Sequence, residues 1–359
     1  MSSTMQSSTW QKLLFLESHD SVIAWHQQVF SRTLSARRVK EITSAARQAR
    51  EFFRNSSESN ISVKPLLTFY GVASLSRSAA LLLNPLGGES GLTPGHGITT
   101  VEWSKTLSGD ISQGLAALGN LRVKTCKGLF FDIVKQTENT MCIHTNSSVV
   151  DWQIPYETPK LGDELSFDDL ILRLPDLKSE HLRSSQTALY AAAQELSYSP
   201  DSGFKAQITS NNFLAFIDTY RADGYQITND APPYNLTCDA QSFQKKPPQF
   251  SHSYINKIFG SIPELHITKP LKSGSRYSQI ATTYMTSYFL GMLSRYYPTH
   301  WTSLFSGEKG DGRWPEIYLT QKYIDLCYPE LLLEFLDNHL AMNKKSKVTH
   351  TDSISQEKQ

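Results

Sequence analysis

The chain has 359 residues, 39% hydrophobic and 19% charged, which is enough apolar material for one large domain or two smaller ones. Its 35 basic and 34 acidic side chains leave a formal net charge of +1, so a polycation that holds nucleic acid through its global field is excluded; such binding would need a local patch. The four scattered cysteines, Cys126, Cys142, Cys238 and Cys327, form no disulfide framework and lead us to expect reduced thiols and a cytoplasmic location.

Residues 1–9 are Ser- and Thr-rich and are predicted to be disordered, with no charged start and long apolar run of the signal-peptide kind. Residues 10–119 read as an N-terminal helical region. From Leu34 to Arg54, Val39, Ile42, Ala46, Ala49 and Phe53 step by three and four and so share one helix face. Arg47, Arg50 and Arg54 share another, with Arg37, Arg38 and Lys40 just before them. Such a stripe can track the phosphates of RNA. Glu41 and Glu51 dilute it, and Arg47 with Glu51 also reads as an ordinary pair on a solvated face.

"VKPLLTFYGVASLSRSAALLL" gives a second helix, with Pro65 in its first turn, where a missing N–H costs nothing. Leu66, Phe69, Val72, Ala73, Ala79, Ala80 and Leu83 make its apolar face. Tyr70, Ser74, Arg77 and Leu81 lie along the other side. "NPLGGESGLTPGHG" ends it with turn formers. There His96 stands between glycines, which permit close backbone approach to a ligand and equally make plain turns.

Residues 120–230 read as a β-containing insertion. "LRVKTCKGLFFDIVKQ" and "TMCIHTNSSVVDWQI" suggest a hairpin or small sheet. Cys142 and His144 would share a strand face and Cys126 could join them, but a zinc site needs a fourth ligand, so no metal or cofactor is assigned. "SFDDLILRLPDL" starts a short helix after Ser166 that Pro175 stops. "SQTALYAAAQELSY" and "KAQITSNNFLAFIDTYRADGYQITND" stay open between helix and strand. Residues 231–272, with "APPYN" and "QKKPPQF", read as a Pro-rich surface connection.

Residues 273–342 turn helical again. "SGSRYSQIATTYMTSYFLGMLSRYY" is one long helix ending near Pro298, and "WPEIYLTQKYIDLCYPELLLEFLDNHLA" gives one or two more, interrupted at Pro329. Residues 343–359 read as a disordered tail. The apolar run "IATTYMTSYFLGML" is short and rich in hydroxyls, so no membrane span is expected. The sum is a mainly α protein with a small β-containing insertion, its N- and C-terminal helices packed into one body.

One spacing stands out. Arg295 and His300 frame four residues in "SRYYPTHW". A histidine can serve as general base or acid near neutral pH, and an arginine can stabilise charge developing on a phosphate. The same two residues at a helix end also fit capping and aromatic packing beside Tyr296, Tyr297 and Trp301. No Walker A, Gly-x-Ser-x-Gly or His-Glu-x-x-His motif occurs.

"ARQAREFF", "KPLLTFYGVASLSRSAALLLNP" and "GHGI" resemble the YaaC-like family of bacterial proteins, as do "LRVKTCKGLFFDI", "DDLILRLPDL" and "LSRYYPTHW", so the resemblance spans most of residues 40–340. The first run is also similar to the helical HEPN fold: a helix rich in small residues (Ala73, Ala79, Ala80) carries Tyr70, ends in leucines, and leads to His96-Gly97. That resemblance implies a HEPN-like helical bundle core and a homodimer. The YaaC-like family brings no settled activity. HEPN relatives include ribonucleases with an Arg-x4-6-His motif at a dimer interface, RNA-binding modules and partners of nucleotidyltransferases. This chain departs from the nuclease pattern: residues 40–97 hold no such pair, Arg77 and His96 have 18 residues between them, and Arg295 and His300 lie far downstream with Pro298 inside.

Two functions are therefore expected. One is a module that binds RNA, or a protein encoded by a neighbouring gene, in a bacterial stress or anti-phage setting. The other is a metal-independent ribonuclease using Arg295 with His300, or Arg77 with His96.

Overall fold

The computed structural model describes residues 2–140, 157–184, 186–245, 249–255 and 264–356. It opens with α1 (Ser2–Leu13), α2 (His19–Phe30), α3 (Ala36–Glu58) and α4 (Lys64–Leu83). The side chains of Ser18 and Ser35 accept N–H bonds from Ser21 and Arg38, satisfying donors that the first turns of α2 and α3 leave free. α3 and α4 pack closely on each other. The α3 face read from the sequence is the one that packs: Val39, Ile42, Ala46, Ala49 and Phe53 are all buried. The Arg38 guanidinium donates to the carbonyls of Leu81, Asn84 and Pro85, where the end of α4 has acceptors without helical partners.

Next come β1 (His96–Val101), α5 (Trp103–Leu107), α6 (Ile111–Ala116), β2 (Arg122–Gly128), α7 (Leu129–Gln136) and β3 (Glu164–Ser166). The strands form an antiparallel sheet in the order β1-β2-β3. "LFFDIVKQ", expected in a hairpin, is the helix α7. Leu129, Phe130, Ile133 and Val134 are buried at helical spacing, a period the strand reading overlooked. Cys142, His144 and the rest of the expected hairpin, residues 141–154, lie outside the described residues. In α8 (Phe167–Ile171), Ser166 and Asp169 form the reciprocal capping box that a serine before acidic residues suggests. α9 (Lys178–Arg183) follows.

A second sheet is built from β4 (Tyr190–Ser199), β5 (Gly203–Ile208), β6 (Gln226–Thr228), β7 (Tyr234–Cys238), β8 (Gln249–His252) and β9 (Leu265–Thr268), with α10 (Ile217–Ala222) and α11 (Ala240–Lys245) between strands. Its order is β6-β7-β5-β4-β9-β8 and its pairings are antiparallel. It buries a core of its own around Phe204, Phe213, Tyr220, Tyr234 and Phe250. The open segment "ALYAAAQELSY" is strand β4. Residues 231–272 are more than a connection, because they supply β7, β8 and β9. In β7, Tyr234, Leu236 and Cys238 point inward between Asn235 and Thr237, a short alternation that the surrounding prolines hide.

The chain closes with α12 (Gln279–Tyr296), α13 (Pro298–Phe305) and α14 (Trp314–Gln356). α12 is buried along nearly its whole length and crosses α4. The contact depends on Gly291, where a Cβ would stand 2.8 Å from Phe69 Cβ. Pro329 lies inside α14 instead of breaking it. Tyr328, Leu331, Leu332 and Leu336 are fully buried around it, so packing offsets the lost backbone hydrogen bond. The two chain ends predicted to be disordered are helical through Ser2 and Gln356. Among the described residues, α4 is the helix with the length and hydropathy to cross a membrane, and 78% of that window is buried inside the fold, as in a core helix. The protein is thus mainly α, with two small antiparallel sheets.

Candidate functional site

Between α3, α4 and the turn into β1 lies a cleft of about 580 Å³. α4 contributes Tyr70, Ser74 and Arg77, spaced four and three apart and so aligned on one side of the helix. From α3, Gln48 and Phe52 face them: the Gln48 carboxamide oxygen accepts from the Ser74 hydroxyl at 3.2 Å, and the Phe52 and Tyr70 rings stack at 5.5 Å. His96 closes the far side. At the rim, Arg77 stands 3.7 Å from the carboxylate of Glu89.

Of the two glycines flanking His96, Gly97 has a steric role. Gly97 has φ +79°, and a Cβ on it would stand 2.8 Å from the backbone nitrogen of Phe130. The β1–β2 pairing brings these backbones together, and Leu129 N–H donates to Gly95 O at 3.0 Å. This close approach fixes where the imidazole enters the cleft. The ring meets Phe69 edge-on at 4.9 Å, with Tyr70 and Tyr288 at 6.5 and 6.2 Å, and the His96 carbonyl accepts from the Tyr284 hydroxyl at 3.1 Å.

Burial, then the charges of Arg295 and Arg77, lowers the His96 pKa below the usual histidine value. The ring is therefore neutral at pH 7, able to accept a proton, and flanked by two fixed positive charges. Arg295 reaches this region from the end of α12. It donates to the Tyr70 hydroxyl at 2.7 Å, and its guanidinium lies over Tyr296 at 4.9 Å.

The structure thus brings together Arg77, His96 and Arg295, but it leaves His300 elsewhere. Tyr297 departs from helical geometry and Pro298 begins α13, so the face that carries Arg295 is not continued. His300 is 7% exposed, packs against Tyr297 and sits so close to Gly114 that a Cβ there would stand 2.8 Å from Nε2. Burial alone lowers its pKa. The four-residue spacing is real in sequence and does not become a pair in space.

The cationic stripe on α3 is matched by acids. Arg50 makes a bidentate pair with Glu17 at 2.7 and 2.9 Å, Arg47 donates to the Glu17 carbonyl at 2.9 Å, and Arg54 pairs with Glu51 at 2.5 Å. Arg47 and Arg50 fasten the turn before α2 to α3 through the one Glu17, and Arg54 pairs within α3, so two carboxylates offset most of the charge of the three arginines. No group of three or more metal-ligating side chains occurs among the described residues, and burial pushes the Cys126 thiol up. Gln48, Phe52 and Glu89 escaped the sequence reading. Phe52 carried a signal, as an aromatic one step off the buried stripe.

A family model described as YaaC-like Protein matches residues 4–336. Comparison with curated proteins found no match, and comparison with solved structures found none.

Proposed function

The chain belongs to the YaaC-like family, whose description names no activity, and from the cleft we propose that it is an RNA-binding module holding one nucleotide unit of a single strand. The observation that carries this is the convergence of Arg77, Arg295 and neutral His96 beside the stacked Phe52–Tyr70 pair. Single-stranded RNA is held by base stacking on aromatic rings and by arginines on its phosphates. The cleft supplies both, at a volume within the roughly 300–1,000 Å³ typical of ligand sites. With this proposal go a HEPN-like core, a homodimer and a cytoplasmic setting. The test is fluorescence anisotropy of a labelled single-stranded RNA across a salt series. Arg77→Ala and Arg295→Ala should each weaken binding and reduce the salt slope by about 1. Binding unaffected by either substitution would sink the reading, and absence of RNA binding would favour a protein partner.

The neutral imidazole between two guanidiniums supports a second reading, RNA cleavage without a metal. His96 would take the proton of a ribose 2′-hydroxyl, the oxygen would attack the adjacent phosphorus, and the 5′-oxygen would leave with a solvent proton. Arg77 and Arg295 would stabilise the extra negative charge. Cleavage in the presence of EDTA that is lost in His96→Ala and kept in His300→Ala would establish it. Intact RNA under those conditions would leave binding alone.

A further inference from the structure

A second cavity, of about 350 Å³, opens between α9 and the second sheet. Tyr190 and His266 line it, with their rings edge to face at 5.2 Å. His266 Nδ1 lies 3.2 Å from the backbone carbonyl oxygen of Glu264, which can only accept, so Nδ1 carries the proton. Burial, assisted by the charge of Lys178 and opposed by the bond to that carbonyl, lowers this ring's pKa to about 4. It is neutral at pH 7, and Nε2 presents a lone pair. That lone pair stands 3.5 Å from Glu264 Oε2, a second acceptor. Gln186 Oε1, a third, is buried with no partner among the described residues.

Glu264, His266 and Gln186 all line this one cavity, so three acceptors share it, alongside the donors of Lys178, Gln194, Ser210 and Asn212, and Gln186 Oε1 is left without a described donor. A ligand that brings N–H groups satisfies them, and an ammonium brings the most. Lys178 also lines the cavity, and its charge acts on His266. It would repel a bare amine and attract a carboxylate. We propose that this cavity binds a small zwitterion of the α-amino-acid class, its ammonium held by Glu264, His266 and Gln186 and its carboxylate by Lys178. The site is independent of the cleft beside α4.

The test is calorimetric titration of the full chain with each protein amino acid, and with ethylamine and acetate as probes of the two halves. At least one amino acid should bind saturably, with ethylamine and acetate each about tenfold weaker or undetectable. Glu264→Gln and Lys178→Met should each cost about tenfold or more, the loss of one charged hydrogen bond. The Glu264 side chain is 53% exposed, so its substitution leaves the fold intact, which circular dichroism checks. The proposal is overturned if no amino acid binds, if ethylamine binds as tightly as the best amino acid, or if Glu264→Gln leaves the affinity unchanged.

Discussion

Mild acid should weaken this protein through two buried histidines. The side chains of His181 and His266 are 2% and 3% exposed, and burial, first among the causes, lowers both pKa values from 6.5 to about 4. Between those values the unfolded chain holds a proton on each ring that the folded protein does not, so stability falls as pH falls through that window. The depression is about 2.5 units, or about 3.4 kcal/mol per ring once pH is below about 4; at about pH 5.5 roughly 1.4 kcal/mol per ring is lost, and so about 2 to 3 together. Asp176 works in the opposite sense. Burial raises its carboxyl to about 7, so its proton stabilises the fold as pH drops. The observable is therefore a difference. Urea unfolding followed by circular dichroism, at about pH 7.5 and about pH 5.5, compares the native sequence with His181→Gln/His266→Gln. The native sequence should lose 2 to 3 kcal/mol more than the double variant over that interval, in proportion to the protons its rings take up. Equal losses in the two proteins would refute the claim that both rings are buried in the neutral form.

Other substitutions read other parts of the structure. Gly291→Ala places a methyl against Phe69 at the α4–α12 crossing and should cost about 1–3 kcal/mol in urea unfolding, as overpacking does. Arg295→Gln removes a charge that lowers the His96 pKa, so the His96 titration followed by NMR should move to higher pH. Arg50→Ala takes the bidentate partner from Glu17, whose side chain is 11% exposed, so it should cost about 1–3 kcal/mol and leave RNA affinity unchanged.

Much of the cleft could be read from periodicity. The buried stripe of α3 and the line of Tyr70, Ser74 and Arg77 on α4 follow from steps of three and four; α3 folds as that spacing implies, whereas α4 is buried on its other side too, at Ser74, Ser78 and Leu81. The third wall could not be read that way. His96 reaches the cleft through the pairing of β1 with β2 and through a Tyr284 contact 188 positions away, and no local pattern encodes either. The Arg295–His300 spacing misled for a local reason, since Pro298 starts a new helix between them. The second sheet was hidden because β7 alternates over only five residues among prolines and polar side chains, while the four-residue strands β8 and β9 are buried at every position, polar side chains included, and so carry no period to register.

The most direct test of the cleft's role is the NMR signal of the His96 ring during titration with a short single-stranded RNA. A phosphate held by Arg77 and Arg295 would stand beside the imidazole, favour its charged form and raise its pKa. The expected result is a saturable shift of the His96 signal with its titration moved to higher pH, and no such response from His300. A His96 signal that stays in place while RNA binds would put the RNA elsewhere and contradict the assignment of this cleft.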